Sequence, residues 1–266
     1  MDTHPHVVPD CKTVPTRIKS LILLLTAALA IGTGSLAAAE PPPGKAALTV
    51  VTFGDSTTAP RGALPVYADC LRQDLLRHGL PVRVINAGVG GNTTEAARAR
   101  FVSDVLDRKP DLVILQFGIN DAAVDVWKTP PASQPRVSLE RYVANLEFFI
   151  ESLQAQQRAV LLMTPNALCW TPALKQRYGK SPYRPDEADG FNVLLQAYAE
   201  AARGVARRKG VSLIDVFAAF QNHGKTPGQA IDDLLLDGMH PNGQGQRLVA
   251  DLLLPEILKL RLAGER

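Results

Sequence analysis

The chain has 266 residues, of which 46% are hydrophobic and 21% charged, with a formal net charge of +3. That is enough apolar material to bury one large core, and the balance excludes a chain that stays disordered. Lys and Arg are scattered rather than gathered into a stripe, which argues against a nucleic-acid partner.

Arg17 and Lys19 precede the apolar run LILLLTAALAI (21–31), and GTGSLAAAE then offers small residues at Ala37 and Ala39. A basic segment, an apolar run and a small-x-small site predict a signal peptide over residues 1–39, cleaved near Ala39. The run falls short of the ~20 residues that span a bilayer, so no stable membrane insertion is expected after cleavage. The chain is therefore expected to be exported, to the periplasm or the medium. No cysteine sits at the cleavage site, which argues against a lipid anchor. PPPG at 41–44 predicts a linker over residues 40–46, and residues 47–266 a single folded domain.

From there a regular alternation begins. ALTVVTF (47–53) predicts a buried strand, and residues 64–78 a helix stopped by Gly79. VRVINA (82–87) is the second strand, residues 93–106 the second helix and DLVILQF (111–117) the third strand. Leu139, Tyr142, Val143, Leu146, Phe149, Ile150 and Leu153 recur at helical spacing over residues 139–156. AVLLMT (159–164) and VSLIDVF (211–217) predict the fourth and fifth strands, with helices over 191–209 and 244–260. Short unbroken apolar strands separated by helices predict a parallel sheet covered on both faces.

Three strands run into conspicuous polar sequence: GDSTT (54–58), NAGVGGNTT (86–94) and FGINDAA (117–123). In an open parallel sheet the carboxyl ends of the strands share one rim, where ligands bind. GVGGNT from Gly88 resembles a dinucleotide fingerprint, but its sixth position is Thr93, it follows the second strand, and no GK[ST] occurs. Nucleotide binding is set aside. A fourth cluster, DDLLLDGMHPNGQG (232–245), holds Asp237 three residues before His240. A carboxylate at that spacing can fix and polarise an imidazole, which is what a serine hydroxyl needs as its base.

GDS at 54–56, GGN at 90–92, GIND at 118–121 and DGMH at 237–240 resemble, in order and spacing, the signature blocks of the SGNH (GDSL-type) hydrolases. The resemblance spans about Leu48 to Leu260. It implies an α/β fold, a flavodoxin-like three-layer α/β/α sandwich with a mainly parallel five-stranded sheet. It also implies a carboxylic ester hydrolase in which Ser56 is the nucleophile, His240 its base and Asp237 the group orienting His240. The oxyanion hole would be the Ser56 N–H, the Gly91 N–H and the Asn120 side-chain amide. Thr57 in place of the leucine common in relatives resembles carbohydrate acetylesterases, although the second block lacks their typical form.

Short-chain acyl esters are therefore expected, carbohydrate O-acetyl groups first, on a small-molecule or polysaccharide substrate. A lipase or thioesterase of the same fold is the near alternative, and an inactive secreted carbohydrate-binding protein the distant one. No cofactor is expected. No metal is expected either, because His78, His223 and His240 are not spaced as a metal pair. Asp55 and Asp121 are read as braces, Asp232 and Asp233 as solvated, His223 as a surface loop residue and Cys70 as core. Trp170, Tyr178 and Tyr183 lie in a long loop after the fourth strand; they either stack on a sugar ring or pin the loop to the core. Whether Cys70 and Cys169 pair, and the oligomeric state, stay open.

Overall fold

The computed structural model describes residues 47–264, so the predicted signal peptide and the whole of the linker lie outside the described residues. Five strands form one wholly parallel sheet: β1 (Leu48–Gly54), β2 (Val82–Gly88), β3 (Leu112–Gln116), β4 (Ala159–Met163) and β5 (Ser212–Ile214). Their order is β2-β1-β3-β4-β5. The chain thus runs outward from β1 to one edge, then returns past it to the other.

Right-handed crossovers convert that reversal into two covering layers. Helix α1 (Tyr67–Arg77) packs with α8 (Gly243–Gly264) on one face. Helices α2 (Thr94–Asp104), α4 (Leu139–Gln154) and α6 (Leu195–Lys209) pack together on the other. The result is the expected α/β/α sandwich. Phe53, Phe101, Phe117 and Phe149 interlock beneath the second layer, with ring centroids 4.9 Å apart for Phe101–Phe149 and 5.2 Å for Phe53–Phe117. All four are buried.

The remaining helices are short. Helix α3 (Ile119–Ala122) is a single turn after β3, α5 (Pro172–Tyr178) lies beyond β4, and α7 (Val216–Lys225) follows β5. The last two differ from the sequence expectations. Thr171 caps α5 by accepting the Leu174 N–H, and Pro172 fits the first turn because its missing N–H has no helical partner to lose. The predicted fifth strand stops at Ile214 because the Asp215 carboxylate accepts the Ala218 N–H and starts α7. His223 therefore lies on a helix, 3.5 Å from Asp233, rather than in a loop. The sixth helix begins at Leu195 instead of residue 191, since Asn192 turns aside to hold Leu168 through both its backbone groups.

In-register pairing aligns the strand ends. Gly54 stands opposite Gly88 and Gln116, Gln116 opposite Met163, and Met163 opposite Ile214. The loops that follow all leave from one rim, at the switch point flanked by β1 and β3.

Candidate active site

The loop after β1 is a tight polar turn. The Asp55 carbonyl accepts the N–H groups of Thr58 (3.2 Å) and Ala59 (3.0 Å), and its carboxylate accepts the Thr57 N–H at 2.9 Å. The hydroxyls of Thr57 and Thr58 reach Gln116 Oε1 at 3.1 and 3.3 Å. Asp55, Thr57 and Thr58 are all buried, so a polar cluster ends a buried strand because its members satisfy one another. Burial raises the Asp55 carboxyl above its ordinary range, against the lowering effect of the Thr57 N–H. Ser56 alone among the hydroxyls of this turn points to the rim.

There it meets the loop entering α8. Ser56 Oγ lies 3.0 Å from His240 Nε2, and His240 Nδ1 lies 2.8 Å from Asp237 Oδ2. A carboxylate only accepts, so Nδ1 carries the hydrogen and Nε2 presents its lone pair to the serine hydroxyl. The other oxygen, Asp237 Oδ1, accepts the N–H groups of Met239 (3.0 Å) and His240 (2.8 Å). Burial alone would raise the Asp237 carboxyl, but the hydrogen bonds from His240 and Met239 outweigh it and hold it below the usual range. Gly238 has φ +83°, and a Cβ there would sit 2.6 Å from the Cys169 carbonyl oxygen, so this turn demands glycine.

The other two loops leave the same rim. Gly91 has φ +75° with open space where a Cβ would be. Neither the Ser56 nor the Gly91 N–H donates a hydrogen bond to any described residue. Asn120, one residue into α3, donates from Nδ2 to the Asn92 carbonyl at 3.1 Å and accepts at Oδ1 from Arg136 at 3.0 Å. One N–H of its amide remains unspent. The structure thus gathers Ser56, Gly91, Asn120, Asp237 and His240 at one rim.

Several supporting residues escaped sequence reasoning. Arg100, on α2, donates to the carbonyls of Gly54 (2.9 Å) and Ala87 (2.7 Å) and to Asn92 Oδ1 (2.6 Å), tying the first two loops together. Gln246, on α8, accepts the Tyr67 N–H and donates to the Thr57 carbonyl. Buried Asn166 donates to the Met239 carbonyl at 3.0 Å. None belongs to a recognisable block. Only the helical position of Arg100 below a glycine-rich loop offered any signal.

Asp121 is a brace, as expected: its Oδ1 accepts the Thr94 N–H and hydroxyl at 2.8 and 2.5 Å. Burial pushes its carboxyl up to about 6, opposed by those two donors. Asp232 and Asp233 do more than face solvent: Asp232 lies 3.4 Å from the Cys169 sulfur, and Asp233 accepts the Ala230 N–H. Burial and Asp232 together push the Cys169 thiol up to about 12. Cys70 and Cys169 are free thiols. Tyr178 and Tyr183 are buried, and Trp170 stacks on Phe191 at 4.4 Å, so these aromatics pin their segment to the core. Beside Asn120 is a cavity of about 40 Å³ bounded by Arg136, Leu168, Tyr178, Phe191 and Met239.

Among the described residues, no three His, Cys, Asp or Glu side chains gather as a metal cluster, and no helix is long and apolar enough to cross a membrane.

Comparison with known proteins gives consistent relatives. Residues 52–248 match the family described as GDSL-like Lipase/Acylhydrolase. The chain is 33% identical over 214 residues to the uncharacterized lipoprotein YqeF of Bacillus subtilis, covering 75% of this chain and 85% of that one. It is 29% identical over 181 residues to an acetylxylan esterase of Geobacillus stearothermophilus, covering 67% and 73%. The crystal structure of a lipase/acylhydrolase from Enterococcus faecalis superposes with a TM-score of 0.60 at 29% identity, over 79% of this chain and 95% of that one.

Proposed function

The chain belongs to the GDSL-like lipase/acylhydrolase family and is a carboxylic ester hydrolase, and from that premise we propose an exported serine esterase that removes short acyl groups. The observation that carries it is Ser56 Oγ lying 3.0 Å from His240 Nε2 while Asp237 holds the opposite ring nitrogen. His240 takes the Ser56 proton as the oxygen attacks the ester carbonyl. Negative charge then develops on the carbonyl oxygen, facing the N–H groups of Ser56 and Gly91 and the free N–H of Asn120. Preorganised donors of this kind lower the barrier by about 3–4 kcal/mol each. His240 returns the proton to the leaving alcohol, and water, activated by the same ring, releases the acid from the acyl-enzyme.

Acyl size is argued from the cavity beside Asn120. Its volume of about 40 Å³ holds a few heavy atoms, and its mouth is open. An acetyl group suits it. The named activity of the Geobacillus stearothermophilus relative makes acetylated polysaccharide the first substrate to try. Export rests on residues 1–39 and on the lipoprotein naming of the Bacillus subtilis relative.

The test is an activity panel on acetylated xylan, acetylated pectin and p-nitrophenyl esters from C2 to C12, with wild type and Ser56→Ala. Hydrolysis is expected to fall steeply with acyl length, and Ser56→Ala to lose both hydrolysis and fluorophosphonate labelling. Labelling that persists in Ser56→Ala overturns the nucleophile assignment; a preference for C8 to C12 overturns the acyl size. Fractionation of expressing cells, with the first residue of the mature protein read by mass spectrometry, tests export.

A further inference from the structure

Asn120 is held at both ends of its amide. Its Nδ2 donates to the Asn92 carbonyl, beside Gly91, and its Oδ1 accepts from Arg136 Nη1 at 3.0 Å. Arg136 is itself fixed from behind. Its Nε lies 3.1 and 3.2 Å from the two Asp125 oxygens, and its Nη2 lies 2.7 Å from Oδ1. Lys128 Nζ holds the other Asp125 oxygen at 2.7 Å. The backbone of this arm is anchored too, because the Arg136 N–H donates to the Ala123 carbonyl and the Val137 N–H to the Asp121 carbonyl.

We propose that Arg136 is a positioning residue for catalysis, locking the Asn120 amide so that its unspent N–H faces the developing oxyanion. The inference rests on the reading of Asn120 as an oxyanion donor. An asparagine amide is nearly symmetric in shape, and free in solution it turns either end to a partner. A guanidinium only donates and never deprotonates in a protein, so it tolerates the amide oxygen and repels the amide nitrogen. Turned over, Asn120 would set Nδ2 against Arg136 and its oxygen against the Asn92 carbonyl, two mismatches at once. The cation also withdraws electron density through the amide toward its oxygen, which makes the Nδ2–H a better donor to an anion. The Asp125 carboxyl is held down to about 2, chiefly by its hydrogen bonds from Arg136. The ion pair behind the lock therefore persists throughout the working pH range.

The test compares Arg136→Met, Arg136→Lys, Asn120→Ala and the double variant Asn120→Ala/Arg136→Met on p-nitrophenyl acetate, with thermal melts to check folding. Arg136→Met is expected to lower kcat by roughly 10- to 100-fold with KM within about twofold, at a constant factor across the pH profile. Arg136→Lys keeps a cation against Asp125 but cannot also hold Asn120; it is expected to fall between wild type and Arg136→Met. It carries the test if Arg136→Met does not fold. The double variant is expected to be no slower than Asn120→Ala, since a lock has nothing to hold once the amide is gone. Wild-type kcat in the folded Arg136 variants, or losses that multiply in the double variant, overturns the proposal while leaving Asn120 in place. Wild-type kcat in Asn120→Ala removes Asn120 from the hole, and the role of Arg136 with it.

Discussion

Asp237 uses its two oxygens differently: one shapes the turn that carries His240, and the other holds the ring. Asn at this position keeps an acceptor for the turn but sets an NH2 against Nδ1, favouring the wrong tautomer. Asp237→Asn is expected to lower kcat by about 10²–10⁴-fold with a near-unchanged melting temperature, measurable by steady-state kinetics beside a thermal melt. An imidazole serves as base only when neutral, so activity is also expected to fall reversibly on acidification, read from a pH–rate profile with the folded fraction followed in parallel. At this scale the residues gathered at the rim were legible. Ser56, Gly91, Asn120, Asp237 and His240 lie in short blocks that are weak singly and become legible through their order along the chain and the family resemblance. Arg100, Gln246 and Arg136 were not, because their partners are backbone carbonyls and amides that only folding brings near.

Between elements, Asp121 joins the single turn of α3 to the first residue of α2 through Thr94. Its folded carboxyl titrates near 6 against an ordinary 3.8, so the folded state holds the proton that the unfolded chain has already lost. Stability from this group therefore declines as pH rises from about 4 to 6 and is level above that. In Asp121→Asn the decline is absent. The variant is expected to gain stability relative to wild type by up to about 3 kcal/mol as pH rises over that interval, measured by urea titration at each pH. Asp55 is raised in the same sense and its charge is one of the causes that raise Asp121, so the two carboxyls are coupled and the difference reads the pair. Element boundaries were the least legible feature. IDVF reads equally as a strand tail or a helix start, and the choice fell to one carboxylate, Asp215, capping α7. In the segment after β4, Thr171 and Pro172 are a helix-start pair, but one brief helix among turns has too little periodicity to stand out.

For the whole molecule, the alternation of apolar runs was enough to indicate a parallel sheet, since the central strands β1, β3 and β4 are buried on both faces. The strand order was not legible beforehand; it follows physically from right-handed crossovers on opposite faces of β1. The aromatic cluster under α2 and α4 is a main support of that arrangement. Phe149→Ala is expected to lower unfolding free energy by about 3–5 kcal/mol, measured by urea titration. Activity per folded molecule, counted by fluorophosphonate titration, is expected to stay at wild-type level, because Phe149 lies beneath α4 and not at the rim.

Ser56 and His240 stand 184 residues apart in the chain. The imidazole is synthesised long after the hydroxyl, and Gln246 ties α8 to the Tyr67 N–H and the Thr57 carbonyl when that helix docks. A polypeptide still emerging from the ribosome therefore holds the Ser56 turn before the loop of Asp237 and His240 that meets it. On the proposed reading, hydrolysis is expected only once that last loop and α8 have been made and docked.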